Sequence, residues 1–544
     1  MIAPDSRNIY HPETESDIVE LVQHATANGL QVRVRGAAQS VDAAIFTDNV
    51  SAGKNINIML NRMRQVVVTP GSNVVRVQAG CNLGFDPFEP VDEGAPNDRS
   101  TETNGLFYLL QQNGLAIANV TDAIHQTVGG FLSTGSAAGS TMHSFYDAVL
   151  SIKLVDGTGA VKVFNRPTPD NGDDPFYGVA LSLGLVGIIT EVTLQCVPTF
   201  NIIGQQVITA DTEAEYDLFG NGNGKPSLQQ YLGTTEFCRN IWWPFPTVRR
   251  IISWKARTMQ ASDYNNQTGT PQDFHPKPYQ DAFYPSFLPV DLSDGTLKTV
   301  VETTTELVAS TIYGLLGSWP KPLYDLCGNS IAIGSKTYQT KDLQLLLEGM
   351  WPFVLPKLLN FFAPVGPPQV FWDRWTGLAN DTNEYSNNLL PAYRTEFWIP
   401  ISQSQAAMQL LNNFYKNDFY KIANNQNRNF ANGSYVVEIL GAKQTPFWLS
   451  PSFGEDCLRI NFYSLHQNDE DVNAYFSQFW KLFAESKIPY RLHWGYYLPQ
   501  AGSSAPDQEI SARFPKFNAF AELRKTLDPE NIFLTAYWKQ HLNL

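Results

Sequence analysis

The run TVGGFLSTGSAAGST at residues 127–141 constrains the fold of this chain more than any other stretch. It is dense in Gly, Ser, Ala and Thr and carries almost no side-chain bulk. Such a segment can lie flat against a large planar or phosphorylated ligand while its amides and hydroxyls donate hydrogen bonds. A flexible linker has similar composition, but linkers are seldom flanked by strongly apolar strands. Here the flanks are apolar: AVLSIKLVDGTGAVKVF (148–164) reads as a hairpin with a Gly-containing turn, and VGIITEVTLQCVP (186–198) as a strand.

The residues before this run prepare a second ligand-facing loop. From Asp17 to Gly29 the apolar residues Ile18, Leu21, Val22 and Ala25 recur at helical spacing, with Gly29 as the stop. QVRVRG (31–36) alternates like a strand and opens into the small-residue loop GAAQSVDAA (36–44). A strand-to-Gly turn with outward-facing N–H groups can hold an anion, although an ordinary connection without a ligand has the same appearance. Strand-like runs INIML (56–60), QVVVTP (65–70) and NVVRVQAG (73–80) follow, then a helical stretch TETNGLFYLLQQNG (101–114).

A chain of 544 residues is too long for one core, and two large domains are expected. The formal net charge of −14, with no cluster of Lys and Arg, excludes a nucleic-acid surface. Five cysteines (Cys81, Cys196, Cys238, Cys327, Cys457) lack CxxC or CxH spacing, so neither a zinc site nor a disulfide framework is expected. MIAPDSRNIYHPETESD shows no secretory pattern, which points to a cytoplasmic location. The apolar stretch at 345–364 is interrupted by Glu348, Lys357 and internal prolines and reads as buried or interfacial, with no membrane span expected.

Nine stretches in register resemble flavoenzymes of the vanillyl-alcohol-oxidase type, most closely their aldonolactone oxidase and alditol oxidase branch. The first five are RVRGAAQS, NGLAIANVTD (113–122), TVGGFLSTGSAAGS, YDAVLSIKLVDGTGAV (146–161) and ALSLGLVGIITEVTL (180–194). The others are RNIWWPFPTVRRIISWKAR (239–257), VVEILGAKQTPFWLSPSFGEDCLRINFY (436–463), RLHWG (491–495) and LDPENIFLTAYW (527–538). The resemblance implies an α+β fold: a two-subdomain FAD-binding domain (PCMH type) at 1–200 and an α+β cap with a large antiparallel sheet at 201–490. An insertion lies around 265–390, and 491–544 returns to the FAD domain. It also implies that Arg35, Gly36, Ala37, Ala38, Gln39 and Ser40 hold the pyrophosphate, that Ser133, Thr134, Gly135, Gly139 and Ser140 line the other side, and that Ile189 lies near the adenine or ribose.

Departures from the family pattern carry chemistry. Gln39 occupies the position of a flavin-linking His, so noncovalent FAD is expected, and Ala137 replaces another His. The family's E-I-R motif reads Glu438, Ile439, Leu440, and its H-W-G-K reads His493, Trp494, Gly495, Tyr496, while Asn461 takes the place of a further His. The acid survives and both cations are lost. Hydride transfer to a flavin leaves negative charge on the ring, which fixed donors or cations stabilise, and the substrate hydroxyl must release a proton to a base within reach. Glu438, Tyr496 and His493 are the candidates. Arg394 and Glu396 in YRTEFWIP (393–400) are two apart, so a strand places both on one face. Structural ion pairs and filler tyrosines are the competing readings of these residues.

The expected activity is FAD-dependent oxidation of an alcohol, lactone or related small substrate, with oxygen or another acceptor reoxidising the flavin. An oxidative cyclase or desaturase acting on a larger apolar metabolite, and a non-catalytic flavin-binding protein, are the alternatives. Loss of the two cations points to a substrate less polar than a polyol. Oligomeric state is not readable from the sequence.

Overall fold

The spacing of Ile18, Leu21, Val22 and Ala25 becomes the helix Glu15–Asn28, whose buried stripe is those four residues. Thr14 and Asp17 form a reciprocal capping box at its start, and Gly29 ends it at φ 62° in the left-handed region. The computed structural model describes residues 1–86, 88–120, 123–222, 224–244, 248–265, 330–333, 336–339, 364–379, 392–418, 436–465, 472–499 and 510–544. Most of the expected insertion, Cys327 and the apolar stretch except Pro364 lie outside the described residues.

Two sheets build the first part of the chain. In one, Ile56–Met59 is flanked in parallel by Ile9–Tyr10 and Val32–Arg35. In the other, five antiparallel strands run in the order Val66–Val68, Val74–Gln78, Ile188–Gln195, Val149–Val155 and Val161–Asn165. The small-residue run is not extended throughout. Its first half is the helix Val128–Thr134, capped by the Thr127 hydroxyl and stopped by Gly135 at φ 83°. Val128, Phe131 and Leu132 are buried, and that packing offsets the poor helix propensity of Gly, Ser and Thr.

The second part is one antiparallel sheet of eight strands, from Gln369–Arg374 through Asn201–Ala210, Arg250–Thr258, Phe237–Trp243, Val437–Ala442, Cys457–Leu465 and Ala392–Pro400 to Arg491–Leu492. The stretch expected as one cap strand, RNIWWPFPTVRRIISWKAR, therefore supplies two. Alternation gives the sheet two unlike faces. One is apolar and packs on the helix Val472–Ser486, with Phe462 stacked 3.9 Å from Phe479 and Phe397 4.5 Å from Phe483. The other carries the charged residues of the candidate site.

After Leu492 the chain leaves this sheet and docks on the first part. Gly495 O accepts from Val41 N at 3.1 Å, Leu527 O from Gly157 N at 2.7 Å and Ile532 O from Val32 N at 2.8 Å. Among the described residues no helix is long and apolar enough to cross a membrane.

Candidate active site

A cavity opens where these parts meet, with about 1180 Å³ of empty space including the portion open to solvent. Arg35, Gly36, Ala37, Ala38, Gln39 and Ser40 line one side, and Ser133, Thr134 and Ile189 line another. His493, Trp494 and Tyr496 line it as well. The loop is held tightly against its neighbours. A Cβ on Gly36 would stand 2.3 Å from Thr127 Oγ1, and one on the neighbouring Gly80 1.8 Å from Leu60 O. Ala38 sits at φ 55°, a left-handed conformation that costs a non-glycine residue roughly 1–2 kcal/mol and re-aims the loop amides. A cradle of small residues and backbone suits a dinucleotide whose phosphates approach the main chain.

Three expected cofactor residues stand elsewhere. Gly135, Gly139 and Ser140 do not line this cavity; the run continues past its rim into the seam with the large sheet. A Cβ on Gly139 would lie 1.8 Å from Cys238 O, and Cys238 N donates to Gly139 O at 2.8 Å. Ser140 bridges to Ala442, and its hydroxyl accepts from Met142 N and His143 N. The glycine and serine there serve close packing between elements.

Beside Tyr496 stands the charged face of the sheet. Register puts Ile241, Glu438, Asn461 and Glu396 in one row across four strands. Glu438 accepts from Arg239 Nε at 2.6 Å, Tyr463 Oη at 2.7 Å and Asn461 Nδ2 at 3.2 Å. Burial raises its pKa, but Arg239, Tyr463 and the other arginines outweigh that and hold it down to about 2. Glu396 accepts from Arg459 Nε at 2.7 Å on one oxygen, while Oε2 is buried without a hydrogen-bond partner. Burial pushes this carboxyl above the usual range despite Arg459. Arg459 also donates to Ala137 O at 2.6 Å and lies 4.8 Å from the Trp398 ring.

Arg394 shares its strand face with Glu396, and its guanidinium lies 5.0 Å from the Tyr463 ring and 6.0 Å from that of Tyr496. His493 is sandwiched between Trp398 at 6.4 Å and Tyr496 at 4.3 Å. Its Nδ1 accepts from Gly495 N at 3.1 Å, and burial lowers its pKa to about 3. The ring is therefore neutral at pH 7 with its proton on Nε2, a donor and not a base. Burial raises the Tyr496 phenol, so it too stays protonated.

The site is thus not stripped of cations. Leu440 and Tyr496 leave their own positions uncharged, but Arg459 stands directly across from Leu440 in the sheet and Arg394 lies over Tyr496. Arg239, Arg459 and Tyr463 escaped the sequence reading. The available signal was alternation: Arg459, Asn461 and Tyr463 share one face of their strand, as Arg239 and Ile241 share another.

Residues 385–541 match the family model described as D-arabinono-1,4-lactone oxidase. The match lies in the C-terminal part of the chain. D-arabinono-1,4-lactone oxidase of Candida glabrata is 30% identical over 250 residues, 45% of this chain and 40% of that protein. The corresponding Kluyveromyces lactis protein is 30% identical over 152 residues, 28% of this chain and 26% of its own length. The matched stretches thus span less than half of these relatives. L-gulonolactone oxidase of Scyliorhinus torazame is 20% identical over 536 residues, covering 97% of this chain and 93% of that one. Among solved structures, cholesterol oxidase from Brevibacterium sterolicum superposes with a TM-score of 0.65 over 98% of this chain and 94% of its own, at 13% identity. The α+β architecture is shared with that oxidase.

Proposed function

We propose that the chain is an FAD-dependent oxidase of a small hydroxyl-bearing substrate, an alcohol or lactone, with oxygen as acceptor. The observation that carries this reading is the cavity lined by residues 35–40, Ser133, Thr134, His493 and Tyr496, whose Tyr496 ring lies beside Arg394 of a sheet face that also bears Glu438, Glu396, Arg239 and Arg459. Residues 1–200 and 491–544 hold the cofactor, and 201–490 cover it. The lining residues 35–40, Ser133, Thr134 and Ile189 support this assignment. When bound, the flavin supplies a two-electron acceptor at N5.

The chain's own groups divide the remaining work. Glu396, raised by burial and with Oε2 unbonded, takes the substrate hydroxyl proton. Glu438, held ionised by Arg239 and Tyr463, orients the substrate together with Arg394. His493 and Tyr496 donate hydrogen bonds at the cavity wall, and Trp398 keeps water from it. A face with three guanidiniums and two carboxylates favours hydroxyl-rich substrates over a large apolar metabolite. Gln39 offers a carboxamide and no nucleophilic imidazole, which supports noncovalent attachment.

Purified protein should be yellow, and acid precipitation should release all of its FAD into the supernatant. Anaerobic addition of sugar lactones and polyols should bleach the flavin, and air should restore the colour with formation of hydrogen peroxide. A protein that neither binds FAD nor bleaches with any member of that panel defeats the proposal.

A further inference from the structure

We propose that Arg33 is a positioning residue for the diphosphate of the dinucleotide cofactor, acting through its charge and the cavity-wall carbonyls it holds, and that its grip on the C-terminal segment couples cofactor occupancy to docking of residues 528–544. The inference rests on the flavin-dinucleotide reading of the cavity and adds a residue outside the 35–40 loop. Arg33 lies in the strand Val32–Arg35, is 4% exposed and lines the cavity.

Its guanidinium is gripped by backbone carbonyls alone. Nη1 donates to Gly184 O and Phe533 O, and Nη2 to Ala44 O and Leu183 O, at 2.5 to 3.3 Å. No carboxylate forms an ion pair with it among the described residues, and its buried Nε has no hydrogen-bond partner. A buried cation without a counter-charge costs several kcal/mol, and an anionic ligand in the adjoining space offsets that cost. Burial alone lowers this guanidinium to about 10.

The four carbonyls come from three separate segments. Leu183 and Gly184 line the cavity themselves, with Leu183 held at φ 59°. Phe533 belongs to the C-terminal segment, and Ala44 O also accepts from Trp538 Nε1 at 3.1 Å in the last helix. Arg33 therefore ties the 183–184 turn, the 36–45 loop and the C-terminal segment together at the cavity wall. Neutralising its charge stabilises all three attachments together, so ligand affinity and tail docking rise and fall together.

The test compares wild type, Arg33→Met and Arg33→Lys as apoproteins, titrated with FAD, ADP and riboflavin, and read by flavin fluorescence and by amide hydrogen exchange of residues 528–544. Wild-type apoprotein should show slower exchange in that segment on adding ADP, and no change on adding riboflavin, which lacks phosphate. Arg33→Met should weaken FAD by about tenfold or more and change riboflavin by less than about threefold. Arg33→Lys, which keeps the charge, should weaken FAD less than Arg33→Met does and speed tail exchange less, in the same order. Equal weakening of FAD and riboflavin, or ADP leaving wild-type tail exchange unchanged, overturns the proposal. A wild-type chain that binds neither FAD nor ADP overturns the reading of the cavity itself.

Discussion

Glu438 and Glu396 flank Asn461 in one cross-strand row, yet their surroundings drive their protonation apart. Three donors hold Glu438 ionised, whereas burial raises Glu396 above its ordinary 4.5. Carboxyls separated in this way mark the division between proton carrier and fixed anion. If Glu396 is the base, it must be ionised to act, so flavin reduction slows as pH falls through its raised pKa, above 4.5. Glu396→Gln should slow anaerobic reduction by ~10²-fold or more and abolish that acid limb. Glu438→Gln removes the carboxylate charge facing Arg239 and Tyr463, and it should raise KM while keeping the limb. An acid limb that survives Glu396→Gln and vanishes in Glu438→Gln reverses the two roles. These acids were legible because each lies in a recognisable strand motif. Arg239 was not, since its partner Glu438 lies 199 residues further on and only sheet register brings them together.

At the scale of elements, the small-residue run does two jobs that its composition does not separate. Thr127, Gly129, Gly130, Ser133, Thr134 and Ser136 line the cavity; from Gly139 on the run is a spacer packed against the sheet. Legibility followed the strength of local signals. The helix Glu15–Asn28 and the hairpin of Val149–Val155 with Val161–Asn165 announce themselves by periodicity and turn residues. The helix Val128–Thr134 had a quieter signal, a Thr127 cap followed by apolar residues at 128, 131 and 132, which glycine and serine obscured. Gly139→Ala tests the spacer role, because its Cβ would meet a backbone carbonyl at 1.8 Å in a seam with no room to shift. Unfolding free energy from urea titration should drop by on the order of 2–4 kcal/mol. Gly172→Ala, with nothing within 4 Å of its Cβ, is the matched control and should be near neutral. Equal stability of the two variants removes the packing argument.

For the whole molecule, buried titratable groups in separate places set opposing dependences on pH. Burial lowers His125 and His541 to about 4 and His493 to about 3. Each is neutral in the folded chain, while the unfolded chain takes up a proton near 6.5. The stability each contributes is present above 6.5 and is lost as pH falls towards its folded value, at up to about 1.4 kcal/mol per pH unit. Asp86 and Asp528 act in the other sense. Burial raises both to about 6, so the folded chain holds protons there that the unfolded chain releases, and their contribution is lost as pH rises through 6. Three rings against two carboxyls leave about one proton uncompensated between about 6 and 4, so across these five groups the unfolding free energy still falls towards acid, by up to about 1.4 kcal/mol per pH unit. His541 sits in the last helix, 4.3 Å from the Tyr537 ring and away from the charged face, which makes it the clean place to expose one side of the balance. In His541→Gln the acid-side loss from that ring disappears. The stability gap between wild type and variant should therefore narrow by up to about 1.4 kcal/mol for each unit from pH 6.5 to 4.5, as read by denaturant unfolding at matched ionic strength. A gap that stays constant over that window means that the ring takes up its proton at the same pH in the folded and unfolded chains, and that burial does not hold it neutral.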